Sequence, residues 1–131
     1  MTIVVKIEKN GGPEVLKIKN VNIKDPRPDQ VLIEQKAIGL NYIDIYHRTG
    51  LYPLPLPTEI GLEGAGTIKK IGSKVKDFSI GDRIAYAGVP LGAYSSERNY
   101  PTKNLVKIPK EIDFNVAATL MTKGLTAYYL L

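Results

Sequence analysis

The first 110 residues alternate short apolar stretches with turn signals, a pattern typical of β-strands joined by tight connections. The pattern predicts a strand over residues 3–8, with its odd-numbered side chains on one face, and a second strand over residues 15–23. In the second strand the apolar positions change phase, which predicts a bulge or a sharp twist near Lys19 and Asn20. Residues 30–40 form the strongest predicted strand, and it leads directly into Asn41.

Glycines then interrupt the chain at Gly61, Gly64 and Gly66, and this spacing predicts a tight turn with close approach of the backbone. Further short strands are predicted over residues 83–87, 92–99 and 105–108, and from Asp113, a candidate N-cap, the apolar period becomes helical. Residues 123–126 interrupt that helix, and residues 127–131 begin another. The sequence therefore predicts a mainly β fold, a small twisted barrel with terminal helices.

Polar and aromatic side chains collect in residues 39–57, between the strongest strand and a loop with three prolines. Asn41 follows the strand, and Tyr42 and Tyr46 share one face of a short predicted helix because they are four residues apart. Tyr52 follows in the proline-stiffened loop. This stretch is a candidate wall for a flat ligand, and half-buried packing of the tyrosines is the alternative interpretation.

The amino-acid composition excludes several kinds of functional site. The 131 residues are sufficient for one domain with its own core, and 44% of them are hydrophobic. The chain has no cysteine and one histidine, His47, which excludes thiolate sites, disulfides and multi-histidine metal sites. No apolar run is long enough to span a membrane and no secretory signal is evident, so the cytoplasm is the expected location.

The net charge of +5 is spread along the chain, apart from a local cluster of lysines at positions 69, 70, 74 and 76. A nucleic-acid site would interleave such lysines with stacking aromatic residues, and only Phe78 lies near them in the sequence. We therefore expect a solvated surface there, with neither nucleic acid nor membrane as a partner.

Several motifs occur together in one order along the chain. They are residues 11–16 (GGPEVL), 41–44 (NYID), 48–53 (RTGLYP), 61–66 (GLEGAG), 75–84 (VKDFSIGDRI), 91–94 (LGAY) and 123–129 (KGLTAYY). In this order the chain resembles the N-terminal GroES-like catalytic domain of bacterial NADPH:quinone oxidoreductases, the ζ-crystallin-like branch of the medium-chain dehydrogenases. The resemblance covers essentially the whole chain and implies a partly open, GroES-like β-barrel.

The resemblance also implies a branch without zinc. Zinc-dependent alcohol dehydrogenases of the superfamily have a cysteine ligand where Asn41 stands and a Gly-His-Glu motif where this chain has Gly61-Leu62-Glu63. A leucine side chain cannot ligate a metal, and a catalytic zinc takes about three protein ligands. We therefore expect NADPH as the cofactor, a quinone or related small molecule as the acceptor, and no zinc.

By the same resemblance, the catalytic cleft would use Asn41 near the nicotinamide and would place Tyr46 and Tyr52 along the quinone pocket. The implied cofactor contacts are Tyr42, Ile43, Asp44, Tyr46, Thr126 and Tyr129. Other roles remain open: Asn41 as a helix cap, Tyr52 and His47 as packing residues, Glu63 as the partner of a buried base, and Thr126 and Tyr129 as interdomain packing.

The family also has a Rossmann domain that holds the cofactor pyrophosphate, and the glycines at 61–66 lack the G-x-G-x-x-G order of such a site. Residues 1–131 would be the GroES-like domain, and the helix at residues 125–131 would lead into the cofactor domain. We expect a truncated reductase that is not active alone. The alternatives are one half of a split reductase, which would need a separate cofactor domain as a partner, or a non-catalytic GroES-like binding or assembly module.

Overall fold

The computed structural model describes all 131 residues and contains eight strands and three α-helices. The strands are β1 (Thr2–Ile7), β2 (Lys17–Val21), β3 (Gln30–Gly39), β4 (Thr58–Glu59), β5 (Glu63–Ile71), β6 (Arg83–Ala87), β7 (Glu97–Pro101) and β8 (Leu105–Lys107). The helices are α1 (Tyr42–Thr49), α2 (Phe114–Thr119) and α3 (Leu125–Leu130), with a π-helical segment, Leu120–Gly124, between the last two. Single 3₁₀ turns occur at Pro13–Val15 and Thr102–Asn104.

The strands form two antiparallel sheets, one in the order β2-β1-β4 and one in the order β7-β3-β5-β6-β8. They meet where β1 bonds to the segment before β7, through the Val4–Ser95 bridge and the hydrogen bond from the Val5 amide to the Tyr94 carbonyl. The sheets do not close into a continuous barrel. The mainly β, partly open GroES-like fold with terminal helices is therefore confirmed.

The core lies on one face of the five-stranded sheet, and β3 is its central contributor. Strand β3 has neighbours on both sides, and its residues Val31, Leu32 and Ile33 are all buried. The main cluster consists of buried apolar residues from β3, β5, β6, β7 and their connections: Val31, Ile33, Ile68, Ile84, Tyr86, Ala93, Tyr100 and Leu105. In a smaller cluster, alanines of α2 pack against alanines of the same sheet: Ala65, Ala85, Ala117 and Ala118.

Three local predictions for the strands are wrong. In β1 burial does not follow the odd-numbered positions: Thr2, Val4 and Ile7 are buried while Ile3 is 48% exposed, and the Thr2 hydroxyl donates a hydrogen bond to Glu97. The β1–β2 register runs without a bulge, because β2 is an exposed edge strand in which burial does not set the phase. Gly64 and Gly66 lie within β5 rather than in a turn, and Gly61 precedes the strand with a φ of +100°; the predicted close approach of the backbone is confirmed at Gly66.

Helix α1 begins immediately after β3, and a buried carboxylate fixes its first turn. The Asp44 side chain is 2% exposed, and its Oδ2 accepts hydrogen bonds from the Asn41 amide at 3.0 Å and from the Tyr94 hydroxyl at 2.8 Å. Burial, reinforced by the bond to Asp44, raises the pKa of Tyr94 above its ordinary value. The helix ends at Gly50, whose φ of +86° is a left-handed conformation suited to glycine.

The C-terminal helices form one continuous helical run. Asp113 caps α2 as predicted, because its Oδ1 accepts a hydrogen bond from the Asn115 amide at 2.7 Å. The predicted interruption at residues 123–126 is a widened π-helical turn that continues into α3. None of these helices is long and apolar enough to cross a membrane.

Substitution of Gly66 by alanine tests the close approach of β3 and β5. A Cβ at this position would collide with the main-chain carbonyl oxygen of Glu34 in the neighbouring strand. We expect Gly66→Ala to lower the free energy of unfolding by about 1–3 kcal/mol, measured by urea denaturation. Gly12→Ala is the matched control, because a Cβ there meets only the flexible Glu14 carboxylate; an equal loss in both variants would contradict the explanation.

The Tyr94–Asp44 bond predicts a loss of stability at alkaline pH. An unfolded tyrosine ionises near pH 10, whereas folded Tyr94 keeps its proton there, so its contribution is present below about pH 10 and is lost as the pH rises further. Tyr94→Phe should lower the free energy of unfolding at neutral pH by about 1 kcal/mol and weaken its decline above pH 10. Tyr128→Phe, at an exposed site, is the control. Subtracting the tyrosinate absorbance of Tyr94→Phe from that of the wild type gives the titration of Tyr94. A midpoint of this titration at or below about pH 10 would contradict the prediction.

Candidate active-site cleft

Asn41 lies at the junction of β3 and α1, in the N-cap position, and is 8% exposed. Its side chain turns away from the helix. The Nδ2 group donates to Glu63 Oε2 at 2.8 Å, and Oδ1 accepts from Lys123 Nζ at 2.9 Å. The main chain of Asn41 therefore starts the helix while its amide is oriented by two charged side chains.

Glu63 has no exposed surface, and both of its carboxylate oxygens accept hydrogen bonds. Oε2 accepts from Asn41, and Oε1 accepts from the Thr122 amide at 2.8 Å. The nearest cation is Lys123, with Nζ 3.8 Å from Oε2. Gly39 makes this arrangement possible, because a Cβ there would lie 2.9 Å from Glu63 Oε2 and would collide with the Ala118 carbonyl oxygen. Glu63 thus has a basic residue nearby that compensates its charge, but that residue is half exposed and not the buried partner expected from the sequence.

The π-helical segment supplies the partners of Asn41 and Glu63. In this wider turn the Leu125 amide donates to the Leu120 carbonyl oxygen, five residues back. The Thr122 amide points to Glu63 instead of completing a helical bond, and Lys123 also donates to the Leu40 carbonyl oxygen at 2.9 Å. Thr122 and Lys123 were not predicted as site residues. The sequence signals near them were the predicted break at residues 123–126 and, for Lys123, the motif at residues 123–129.

A cleft of about 660 Å³ opens beside Asn41. Most of its lining is apolar, and Lys123 is the one charged side chain among the residues that form it: Leu40, Asn41, Tyr42, Ile43, Ile45, Leu62, Thr122 and Lys123. Leu62 presents hydrocarbon to the cleft, at the position where the zinc enzymes of the superfamily carry histidine. No group of three or more His, Cys, Asp or Glu side chains lies close enough together to hold a metal ion.

Three tyrosine rings extend along α1 and the following loop. The ring centroids of Tyr42 and Tyr46 are 6.3 Å apart, and those of Tyr46 and Tyr52 are 5.3 Å apart in an edge-to-face arrangement. Tyr42 reaches the cleft, whereas Tyr46 and Tyr52 lie beside it. His47 is 8% exposed, with its ring centroid 6.3 Å from that of Tyr52, which places it among packing residues.

The other predicted cofactor contacts lie in three different environments. Ile43 lines the cleft, but Asp44 is buried beneath α1 with its carboxylate bonded to Asn41 and Tyr94. Thr126 is exposed on α3, where its hydroxyl donates to the Thr122 carbonyl oxygen at 2.7 Å, and Tyr129 is 87% exposed. The structure thus brings Asn41, Tyr42 and Ile43 into one cleft and leaves the two α3 residues outside it.

A second cavity, of about 380 Å³, lies where the two sheets meet. Its charged residues are of both signs, and they include ion-paired Lys6 and Glu59. Arg98 in its wall is 6% exposed and donates to the Pro90 and Leu91 carbonyl oxygens. This cavity shares no residue with the cleft at Asn41.

Comparison with known proteins places the fold and the cleft in a family. Residues 27–110 match the alcohol dehydrogenase GroES-like domain. A quinone oxidoreductase of Pseudomonas aeruginosa is 51% identical over 92% of this chain and 38% of its own length. A 2-haloacrylate reductase of a Burkholderia species is 42% identical over 100% of this chain and 41% of its own length.

The crystal structure of Escherichia coli quinone oxidoreductase complexed with NADPH superposes with a TM-score of 0.95 and 46% identity, over 100% of this chain and 40% of that one. This chain thus spans 38–41% of the length of these relatives. The antiparallel fold, the order of the motifs and the matched family model all indicate the same GroES-like domain. The chain therefore belongs to the family of alcohol dehydrogenase GroES-like domains.

Proposed function

We propose that this chain forms the acceptor-binding part of an NADPH-dependent quinone reductase, in which a hydride passes from NADPH to a quinone. The observation that carries the proposal is the cleft at Asn41, where one oriented amide and one ammonium group face largely apolar walls. A quinone ring is flat and delocalises added charge, so such a cleft needs to position two rings more than to perform acid–base work.

Within the cleft, Asn41 is the proposed positioning donor. One Nδ2 hydrogen is committed to Glu63, and the other remains available to a carbonyl oxygen of the acceptor or of the nicotinamide amide. Tyr42 and Ile43 would form the adjacent wall, and Tyr46 and Tyr52 would extend it outward as an aromatic surface for the acceptor. NADPH, when bound, supplies the hydride.

The remaining proposed cofactor contacts act at the edges of the cleft. Asp44 would contribute indirectly, because its carboxylate accepts a hydrogen bond from the main-chain amide of Asn41 and so fixes the start of α1. Thr126 and Tyr129 would contact the cofactor from α3, on the exposed side of the helix. The donor set supports a zinc-free reaction, because Leu62 is a hydrocarbon and the Asn41 amide is already bonded to Glu63 and Lys123.

The relatives are longer than this chain, and this difference in length affects the activity that we propose for residues 1–131 alone. Because the chain spans about 40% of the E. coli enzyme crystallised with NADPH, we propose that residues 1–131 alone hold the cofactor weakly and turn over slowly. The rest of the cofactor site would come from further polypeptide, either joined to this chain or separate from it.

A second candidate function is a GroES-like binding or assembly module. One observation favours it: the apolar side chains of Tyr128, Tyr129, Leu130 and Leu131 are between 73% and 107% exposed. Such a surface is typical of an interface. A cofactor domain and an unrelated partner would cover it equally well, so activity must decide between the two candidates.

A chimeric enzyme tests the proposed function. Residues 1–131 would be joined to the part of the P. aeruginosa quinone oxidoreductase that the match does not cover. We expect NADPH-dependent reduction of 1,4-benzoquinone at least about 10²-fold faster than by the 131-residue chain alone, because both rings are then held in place. NADPH oxidation at 340 nm measures the rate. A folded chimera that binds NADPH but does not reduce the quinone would leave the binding module as the function.

Substitution of Glu63 by glutamine tests the orientation of Asn41. Glutamine offers one acceptor oxygen for two donors and turns an NH₂ group toward Asn41 or Thr122. We expect the free energy of unfolding to fall by about 1–3 kcal/mol and kcat/KM of the chimera to fall about tenfold. Glu111→Gln, at an exposed site, is the matched control. Unchanged stability and kcat/KM in Glu63→Gln would exclude the orienting role.

A further inference from the structure

Lys123 is the one charged side chain that lines the cleft, and positioning of two rings does not by itself require a cation. From its contacts we infer that the Lys123 ammonium group binds the acceptor oxygen that becomes negatively charged and then gives that oxygen a proton. The inference rests on the proposed function of the cleft. It assigns to Lys123 the role of the acid in the reduction.

Two hydrogen bonds fix the position of Lys123 Nζ, and they use two of its three N–H groups. Lys123 Nζ donates to the Leu40 carbonyl oxygen and to Asn41 Oδ1, each at 2.9 Å. An ammonium group has three N–H donors, so one remains. The Lys123 side chain is 50% exposed and borders the cleft, so the third donor has access to a ligand there.

Glu63 does not compete for that third hydrogen. Its two oxygens already accept bonds from Asn41 Nδ2 and from the Thr122 amide. The distance of 3.8 Å from Lys123 Nζ to Glu63 Oε2 exceeds hydrogen-bonding range. Glu63 therefore balances the positive charge of Lys123 without accepting a hydrogen bond from its ammonium group. It also holds the Asn41 oxygen toward Nζ.

The proposed step is balanced in atoms and electrons. NADPH, when bound, would supply the hydride: its C–H bond would break, an O–H bond would form on one quinone oxygen, and negative charge would be left on the other oxygen. The Lys123 Nζ–H bond then breaks, an O–H bond forms on that oxygen, and the product is a neutral hydroquinone. Lys123, now a neutral amine, takes a proton from water through its exposed side.

A purely structural role is the competing explanation for Lys123. Its bond to the Leu40 carbonyl oxygen ties the π-helical segment to the end of β3. A tether of this kind would affect stability but would not distinguish an anionic ligand from a neutral one. The test therefore needs a charge-sensitive readout.

The test titrates the 131-residue chain with 4-nitrophenol, a planar probe whose phenolate resembles the anionic product and absorbs separately from the phenol. We expect the phenolate to bind about tenfold more tightly to the wild type than to Lys123→Met, the effect of one charge-assisted hydrogen bond. The bound probe should also ionise at a lower pH than the free probe. Lys110→Met, which removes an exposed lysine without a salt bridge, should bind as the wild type does.

Lys123→Arg separates charge from proton transfer. Arginine keeps the positive charge but does not release a proton under ordinary conditions. We expect Lys123→Arg to restore phenolate binding while kcat of the chimera stays about tenfold low, as in Lys123→Met. Thermal unfolding of all variants checks that the fold is intact.

Two results overturn the inference. One is equal binding of phenolate by wild type and Lys123→Met, or no binding to either. The other is an unchanged kcat in the Lys123→Met chimera, which leaves the proposed quinone reduction standing while removing its acid. An inactive wild-type chimera overturns the proposed function itself, and the proton-transfer step falls with it.

Discussion

The buried carboxylate of Glu63 is the constraint on which the functional end of the molecule depends. It is fully enclosed, and such a charge is stable only when hydrogen bonds and a nearby cation replace the water it has lost. The structure meets this demand with Asn41, Thr122 and, 3.8 Å away, Lys123. Two segments that are distant in sequence, one at Asn41 and one at Thr122 and Lys123, therefore converge on one residue of β5. The orientation of the Asn41 amide follows from that convergence.

The cleft divides into a fixed inner end and an adaptable outer end. At the inner end the amide and the ammonium group are held by hydrogen bonds of 2.8–2.9 Å. At the outer end, Tyr42 lines the cleft and Tyr52 lies beside it; they are 76% and 49% exposed, so few neighbouring side chains restrain their rings. A fixed polar end with a loose aromatic wall suits a family whose relatives include a quinone oxidoreductase and a 2-haloacrylate reductase. In the proposed function, orientation is imposed at one point and the shape of the acceptor is left less restricted.

The sequence predicted the features that local chemistry determines. The long central strand, the Asp113 cap and the helix after Asn41 all followed from spacing and residue type. The face of β1 was mispredicted because a local period records no contact between distant residues, such as the hydrogen bond from the Thr2 hydroxyl to a partner 95 residues away. Thr122 and Lys123 were missed for the same reason: their role comes from a turn that meets β5 only in three dimensions. The roles of Tyr46, Tyr52, Thr126 and Tyr129 remain predictions.

The π-helical segment also determines where the end of the chain faces. Each residue of an α-helix turns the next side chain by about 100°, so one additional residue in a turn rotates everything after it by that angle. The π-helical segment therefore sets the direction in which α3 presents Tyr128 and Leu130. The same segment borders the cleft through Thr122 and Lys123, so one irregular turn shapes both the cleft and the exposed apolar end.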